Sequence, residues 1–272
     1  MTSPIITDAI TPGVPFFGPG FTGGSWVSGA EPVDSFILPT CAAQTVPQDL
    51  FQRIAAYCAD IPVDGFVGGY VGYEASAALM PDLVLPEAPD GLPVVHLVKY
   101  ARREEVSAPA PRYGDVEAVS LPAIGARDYK LKVQAVIDAV LDGEIFQANI
   151  SRRLSAELAR QEGLAEQLFA RLIAEGPAPY AAFLPVQGGA VMSNSPELFL
   201  SVDGGLVAAE PVKGTAPRAA DPVTDRNLAD ALRHSEKDRA ENIMIADLLR
   251  NDLAKVCVDH SISEPFICEL RS

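Results

Sequence analysis

Apolar and polar residues alternate along this chain in patterns that predict a mixture of strands and helices. Residues 1–120 read as β-rich and turn-rich. GPGFTGGSWVSGAEPVDSFIL sets glycine turns between short apolar runs, and DGLPVVHLVKYARREEV carries a β-branched stretch. Between them, VPQDLFQRIAAYCADI has its apolar residues at helical spacing. In GFVGGYVGYEASAAL, Gly68, Gly69 and Gly72 stand among aromatics, the pattern of a strand whose backbone is closely approached. The segment lacks the Lys-Ser/Thr ending of a phosphate loop, so the glycines are read as structural.

The Pro-, Ala- and Gly-rich stretch 107–126 reads as a linker or peripheral connection. A helix is predicted from about Arg127, with Tyr129, Val133, Val136, Ile137 and Val140 at three-to-four spacing and Gly143 as its C-cap. FQANISRRLSAEL then reads as a strand, followed by a helix over roughly 162–175. YAAFLPV, AVMSNS, ELFLSVD and LVAAEPV follow as successive strands. SEKDRAENIMIADLLRNDLAKVC predicts a long helix and PFICEL a further strand. Helices and strands mix without strict βαβ alternation, which favours an α+β class. The expected organisation is an N-terminal region over 1–120 and a second, catalytic region over 127–272.

Composition narrows the class of function. The chain has 272 residues, 48% hydrophobic and 21% charged, with 21 Gly and 23 Pro spread along it. That is the profile of a globular enzyme with a substantial core. A net charge of −15 disfavours nucleic acid or an anionic membrane surface as a general partner. Cys41, Cys58, Cys257 and Cys268 form no CxxC pair, and His96, His234 and His260 supply no zinc spacing, so free thiols are expected. The N-terminus shows no export signal, and no uncharged apolar run approaches the ~20 residues needed to span a bilayer. A cytoplasmic protein is expected.

Three segments carry candidate chemistry: SNSPELFL at 193–200, EPVKGTAPR at 210–218 and KDRAENIMIADLLRND at 237–252. On the last, helical geometry puts Glu241, Ile245, Leu248 and Asp252 on one side, next to an apolar stripe of Ala240, Met244 and Leu248. Glu241 would border the buried face, either salt-bridged to Lys237, Arg239 or Arg250 or holding a metal. Lys213 is placed at a strand end beside a tight turn, either solvated or nucleophilic. Glu197, after Ser195 and Pro196, is either a positioned acid or a surface carboxylate.

Read in order, GEIFQANISRRL, YAAFLPV, SPELFL, PVKGTAPR and KDRAENIMIADLLRNDLAKVC resemble the chorismate-utilising family, and GFVGGYVGYE resembles a strand in the N-terminal half of its amino-group-adding members. The resemblance runs from about Gly65 onward and is most specific in the helix 237–253. It implies two large antiparallel β-sheets packed as a sandwich with outer helices. Members that add water at ring carbon C2 carry a lysine base where this chain has Gln147, and a neutral amide cannot act as that base. Lys213 stands where anthranilate synthases have alanine and aminodeoxychorismate synthases have lysine. That points to the branch making 4-amino-4-deoxychorismate for folate. Leu198 and Ala216, where arginine is common, and Glu144, for the usual aspartate, depart from the family pattern.

The resemblance further implies that Mg2+ binds the ring carboxylate of chorismate, with Glu241 as one protein ligand. Lys213 would attack C2, Glu197 would protonate the departing C4 hydroxyl, and Gly214 and Thr215 would line the substrate site. Ammonia would come from a glutamine amidotransferase partner. FICELRS ends in an expected mid-strand. Family members continue through a His-Leu-Val strand, a Gly-Ala-Pro-Lys segment and a second metal-binding glutamate. A fragment lacking activity on its own is therefore expected. Anthranilate synthase component I is the first alternative, and a non-catalytic binding or assembly subunit the second.

Overall fold

The computed structural model describes residues 15–40, 45–82, 91–109, 126–151, 154, 156, 158, 163–265 and 267–270. These fall in two compact units, one built from 1–109 with 172–272 and the other from 110–171. The fold is α+β, as the mixed pattern predicts, with one large antiparallel sheet and a second, two-stranded one.

In the first unit, β1 (Phe16–Phe17), β2 (Trp26–Leu38), β3 (Phe66–Val71), β4 (Val95–Val106), β5 (Tyr180–Val186) and β6 (Gly189–Ser195) form a six-stranded sheet in the order β3-β4-β2-β1-β5-β6. The segment that sequence reading divides into short apolar runs contains one 13-residue strand, β2. Pro32 has no N–H to give a ladder, and the β2–β4 register shifts between Pro32 and Asp34, where a bulge accommodates it. Short β1 joins early and late strands: Phe17 pairs with Val27 on one side and Ala182 on the other.

One face of the sheet packs Phe36, Val95 and Leu97 with Leu50 of α2 (Leu50–Ala59) and with the 3-10 turn Tyr73–Ala78. On another, Phe17, Ala182 and Leu184 gather Phe66, Tyr70 and Val191. The glycines of β3 explain themselves by contact. A methyl on Gly68 would stand 2.4 Å from the Phe17 ring, and one on Gly69 1.9 Å from the His96 carbonyl oxygen. β3 can lie this close to its neighbours only with bare backbone.

The short helix α1 (Pro19–Thr22) follows β1. In the second unit, α3 (Ala126–Leu141) closes with Gly143 N–H on Val140 O and Glu144 N–H on Ala139 O, the paired bonds of a Schellman cap. Of the strand expected over 146–158, the described residues, 146–151, 154, 156 and 158, pair with no other strand. A strand's N–H and C=O groups need a ladder partner, and alternating side chains alone do not supply one. Likewise the described residues of the strand expected at 265–270 are in no strand, with turns at 265 and 267–268. α4 spans Leu164–Glu175.

After β6 come the antiparallel pair β7 (Leu198–Asp203) and β8 (Leu206–Glu210), then α5 (Pro222–Arg233) and α6 (Glu236–Leu253). α5 is absent from the sequence reading, although Asp221 caps it by accepting from Thr224 N–H at 2.8 Å and Pro222 opens it. Cys58, Cys257 and Cys268 are free thiols, and Cys41 and most of the 107–126 connection lie outside the described residues. Among the described residues, no helix is long and apolar enough to cross a membrane.

Candidate active site

The β7–β8 hairpin decides what stands beside Glu197. Leu198 opens β7 opposite Glu210, the last residue of β8. Glu197, one step before Leu198, therefore meets the chain just after Glu210, which is Pro211-Val212-Lys213. The contact is made: the Val212 N–H donates to Glu197 Oε1 at 3.3 Å. Ser195 steadies the turn by accepting from the Glu197 N–H at 3.4 Å and donating to the Glu197 carbonyl at 3.3 Å. A carboxylate from one sequence motif is thus tied to the backbone of another, one residue before Lys213. The side chains of Glu197 and Lys213 are half-buried.

The Lys213 loop is held at further points. Pro211 O accepts from Asn242 Nδ2 of α6 at 3.4 Å. Gly214 takes φ +75 and lies against the first turn of α6, where a methyl in its place would stand 2.9 Å from Asp238 Cβ. Farther along, Arg218 grips Asp225 of α5 with two parallel bonds of 2.9 and 2.8 Å, and Ala219 N–H donates to the same carboxylate. The Arg218 guanidinium beside it holds the Asp225 carboxyl below its ordinary value. Thr215 follows Gly214 and is exposed.

α6 begins at Ser235, whose hydroxyl caps the helix by accepting from Asp238 N–H at 3.3 Å. Glu236 and Asp238 in the first turn suit the positive end of the helix dipole. The helix buries no residue fully. Glu241, Asn242, Ile245, Leu249 and Leu253 form its half-buried side, while Ala240 and Leu248 are exposed, Leu248 by 42%. Of the expected Ala240–Met244–Leu248 stripe, Met244 alone is half-buried. Ile245, Leu249 and Leu253 line the half-buried side with Met244 beside them, while Ile243 and Leu248 are exposed. Glu241 does lie on the more protected side, next to the Asn242 that reaches the lysine loop. Arg250 pairs with Asp247 and with Glu264.

Among the described residues, no group of three or more His, Cys, Asp or Glu is placed to hold a metal ion. Glu241 would supply one ligand, and the described residues do not complete a Mg2+ site around it. Gln147 belongs to the second unit and is half-buried. Sequence reasoning missed Asn242 and Asp225. The Asn-after-Glu pair in the α6 motif was the available signal for the first, and the Asp-Pro helix start for the second.

The chain is similar to aminodeoxychorismate synthase component 1 of Salmonella typhimurium, with 42% identity over 138 residues, covering 51% of this chain and 30% of that protein. The Klebsiella aerogenes protein of the same name is 33% identical over 202 residues, covering 68% of this chain and 44% of its own. Anthranilate synthase component 1 1 of Haloarcula marismortui is 44% identical over 125 residues, covering 46% of this chain and 25% of its own. The chain thus spans less than half the length of these curated relatives. The family model for chorismate binding enzymes matches residues 31–272, which include every candidate site residue. The chain belongs to the chorismate binding enzyme family.

Proposed function

We propose that this protein aminates chorismate at ring carbon C4, giving 4-amino-4-deoxychorismate for folate synthesis in the cytoplasm. The observation that carries the reading is the Glu197–Val212 hydrogen bond, which sets a carboxylate beside the loop bearing Lys213. Val212 occupies Glu197 Oε1, which leaves Oε2 as the oxygen to carry a proton. Lys213 Nζ bonds to C2 as the C4–oxygen bond breaks, and Glu197 gives its proton so that water leaves. Ammonia then bonds to C4 as the C2–Nζ bond breaks, and the ring double bonds return. The lysine loses a proton on bonding and regains one as the incoming nitrogen sheds its own. Gly214 and Thr215 would meet the substrate beside the lysine.

The resemblance implies Mg2+, which would draw electron density from the ring carboxylate when held by Glu241 and further ligands. The steps above rest on protein groups alone. Ammonia would come from a glutamine amidotransferase partner, or from free ammonium at higher concentration. The likeness to the Haloarcula anthranilate synthase keeps a second reading, in which ammonia adds at C2 and pyruvate is then lost to give anthranilate.

The test is a product assay on the protein as its gene encodes it, with chorismate, Mg2+ and ammonium. The expected product retains the enolpyruvyl group and yields p-aminobenzoate only when a lyase is added, and Lys213→Ala abolishes it. Fluorescent anthranilate formed without a lyase would give the second reading. Near-normal amination by Lys213→Ala would remove the nucleophile role.

A further inference from the structure

The peptide group joining Pro211 to Val212 is held from two sides. Its N–H donates to Glu197 Oε1 at 3.3 Å, and its carbonyl accepts from Asn242 Nδ2 at 3.4 Å. In a trans peptide these two groups point in opposite directions, so partners on both fix the plane against rotation. One partner sits on the turn between β6 and β7, the other on α6. Lys213 is the next residue along the chain.

Asn242 is itself oriented. Its Oδ1 accepts from the Cys268 N–H at 3.3 Å and from the Cys268 thiol at 3.5 Å. With the oxygen engaged there, the amide nitrogen faces Pro211, and the reverse amide orientation would oppose two acceptors. Cys268 N–H, the Asn242 amide, the Pro211–Val212 peptide and Glu197 thus form one series of donors and acceptors that ends on a carboxylate. Each member polarises the next. Every link is long for an N–H···O bond, so each is weak alone and the register depends on the series.

We propose that Asn242 is a positioning residue: it clamps the Pro211–Val212 peptide between α6 and the β6–β7 turn, and so sets where Lys213 stands relative to the Glu197 carboxyl. The catalytic part rests on the amination reading above; the clamp itself does not. Asn242 has no role in bonding to the substrate. It acts through the loop.

Two variants separate the arms. Asn242→Asp keeps Oδ1 for Cys268 but turns an oxygen toward Pro211 O, which severs the loop arm alone. Asn242→Ala removes both arms. Hydrogen exchange of the full protein is read at the amides of 212–215 and 267–270. In Asn242→Asp the 212–215 amides should exchange about ten-fold faster while 267–270 hold, and in Asn242→Ala both should loosen. Steady-state amination by Asn242→Asp should show kcat reduced by about 10- to 100-fold, with KM for chorismate nearly unchanged. Unchanged exchange at 212–215 in both variants would overturn the clamp. Faster exchange with unchanged kcat would overturn the positioning role, even with Lys213→Ala inactive. Activity surviving in Lys213→Ala would instead overturn the amination reading, and the exchange result would still decide the clamp.

Discussion

Replacing Gly214 with alanine perturbs the lysine loop at its tightest point. Gly214 holds φ +75, and the left-handed region costs a non-glycine residue about 1–2 kcal/mol. The added methyl would also lie 2.9 Å from Asp238 Cβ, 3.0 Å from its Cγ and 3.1 Å from its Oδ1. Asp238 cannot simply swing aside, because the nearest atom is its Cβ and its backbone N–H is tied to the Ser235 cap. Forced overpacking of this kind costs about 1–3 kcal/mol, so the total should be about 2–5 kcal/mol. In a protein of this size that lowers Tm by roughly 4–20 °C. Gly188 calibrates the measurement: it has φ +82 with nothing within 4 Å of the added methyl, so Gly188→Ala reports backbone strain alone. Differential scanning calorimetry of both variants gives the contact by difference. A Gly214→Ala loss no larger than that of Gly188→Ala would refute the packing of the loop on α6.

Glu197→Gln keeps the Val212 hydrogen bond but removes the transferable proton, so amination should fall by about 10²–10⁴-fold while Tm holds. A near-normal rate would leave Glu197 as a turn residue only. Glu241→Gln should weaken Mg2+-dependent chorismate binding by at least about ten-fold in calorimetry, with the fold intact; unchanged binding would exclude it as a ligand. Burial pushes the His96 imidazole below its ordinary 6.5, so the folded chain keeps it neutral while the unfolded chain takes up a proton. Its contribution is present above 6.5 and is lost as pH falls below that value. Tm should therefore decline on that side, and the decline should be shallower in His96→Gln.

What the sequence reveals depends on whether a feature is local. The strands β5 to β8 and the helices α3, α4 and α6 are visible because periodicity, turn residues and caps lie within each segment. The closeness of Glu197 to the Lys213 loop is not local. It arises from a hairpin register that only the pairing of Leu198 with Glu210 discloses. The described residues of 146–158 and 265–270 are in no strand for the complementary reason, since strand formation needs a partner that no window of residues contains. Asn242 was hidden for a third reason. Asparagine in a helix is read as surface, and its value here comes from what lies on either side of it. The motifs around Lys213, Glu197 and Glu241 were legible through resemblance, and their mutual placement was not.

The central claim is that Lys213 bonds to chorismate next to a proton-giving Glu197. Mass spectrometry of the protein incubated with chorismate and Mg2+, with ammonia withheld, tests it directly. The account predicts a covalent adduct of chorismate less one water, carried on the Lys213 peptide, absent in Lys213→Ala and discharged as free product when ammonium is added. Product formation on adding ammonium, with no adduct at any time and no change in Lys213→Ala, would contradict it.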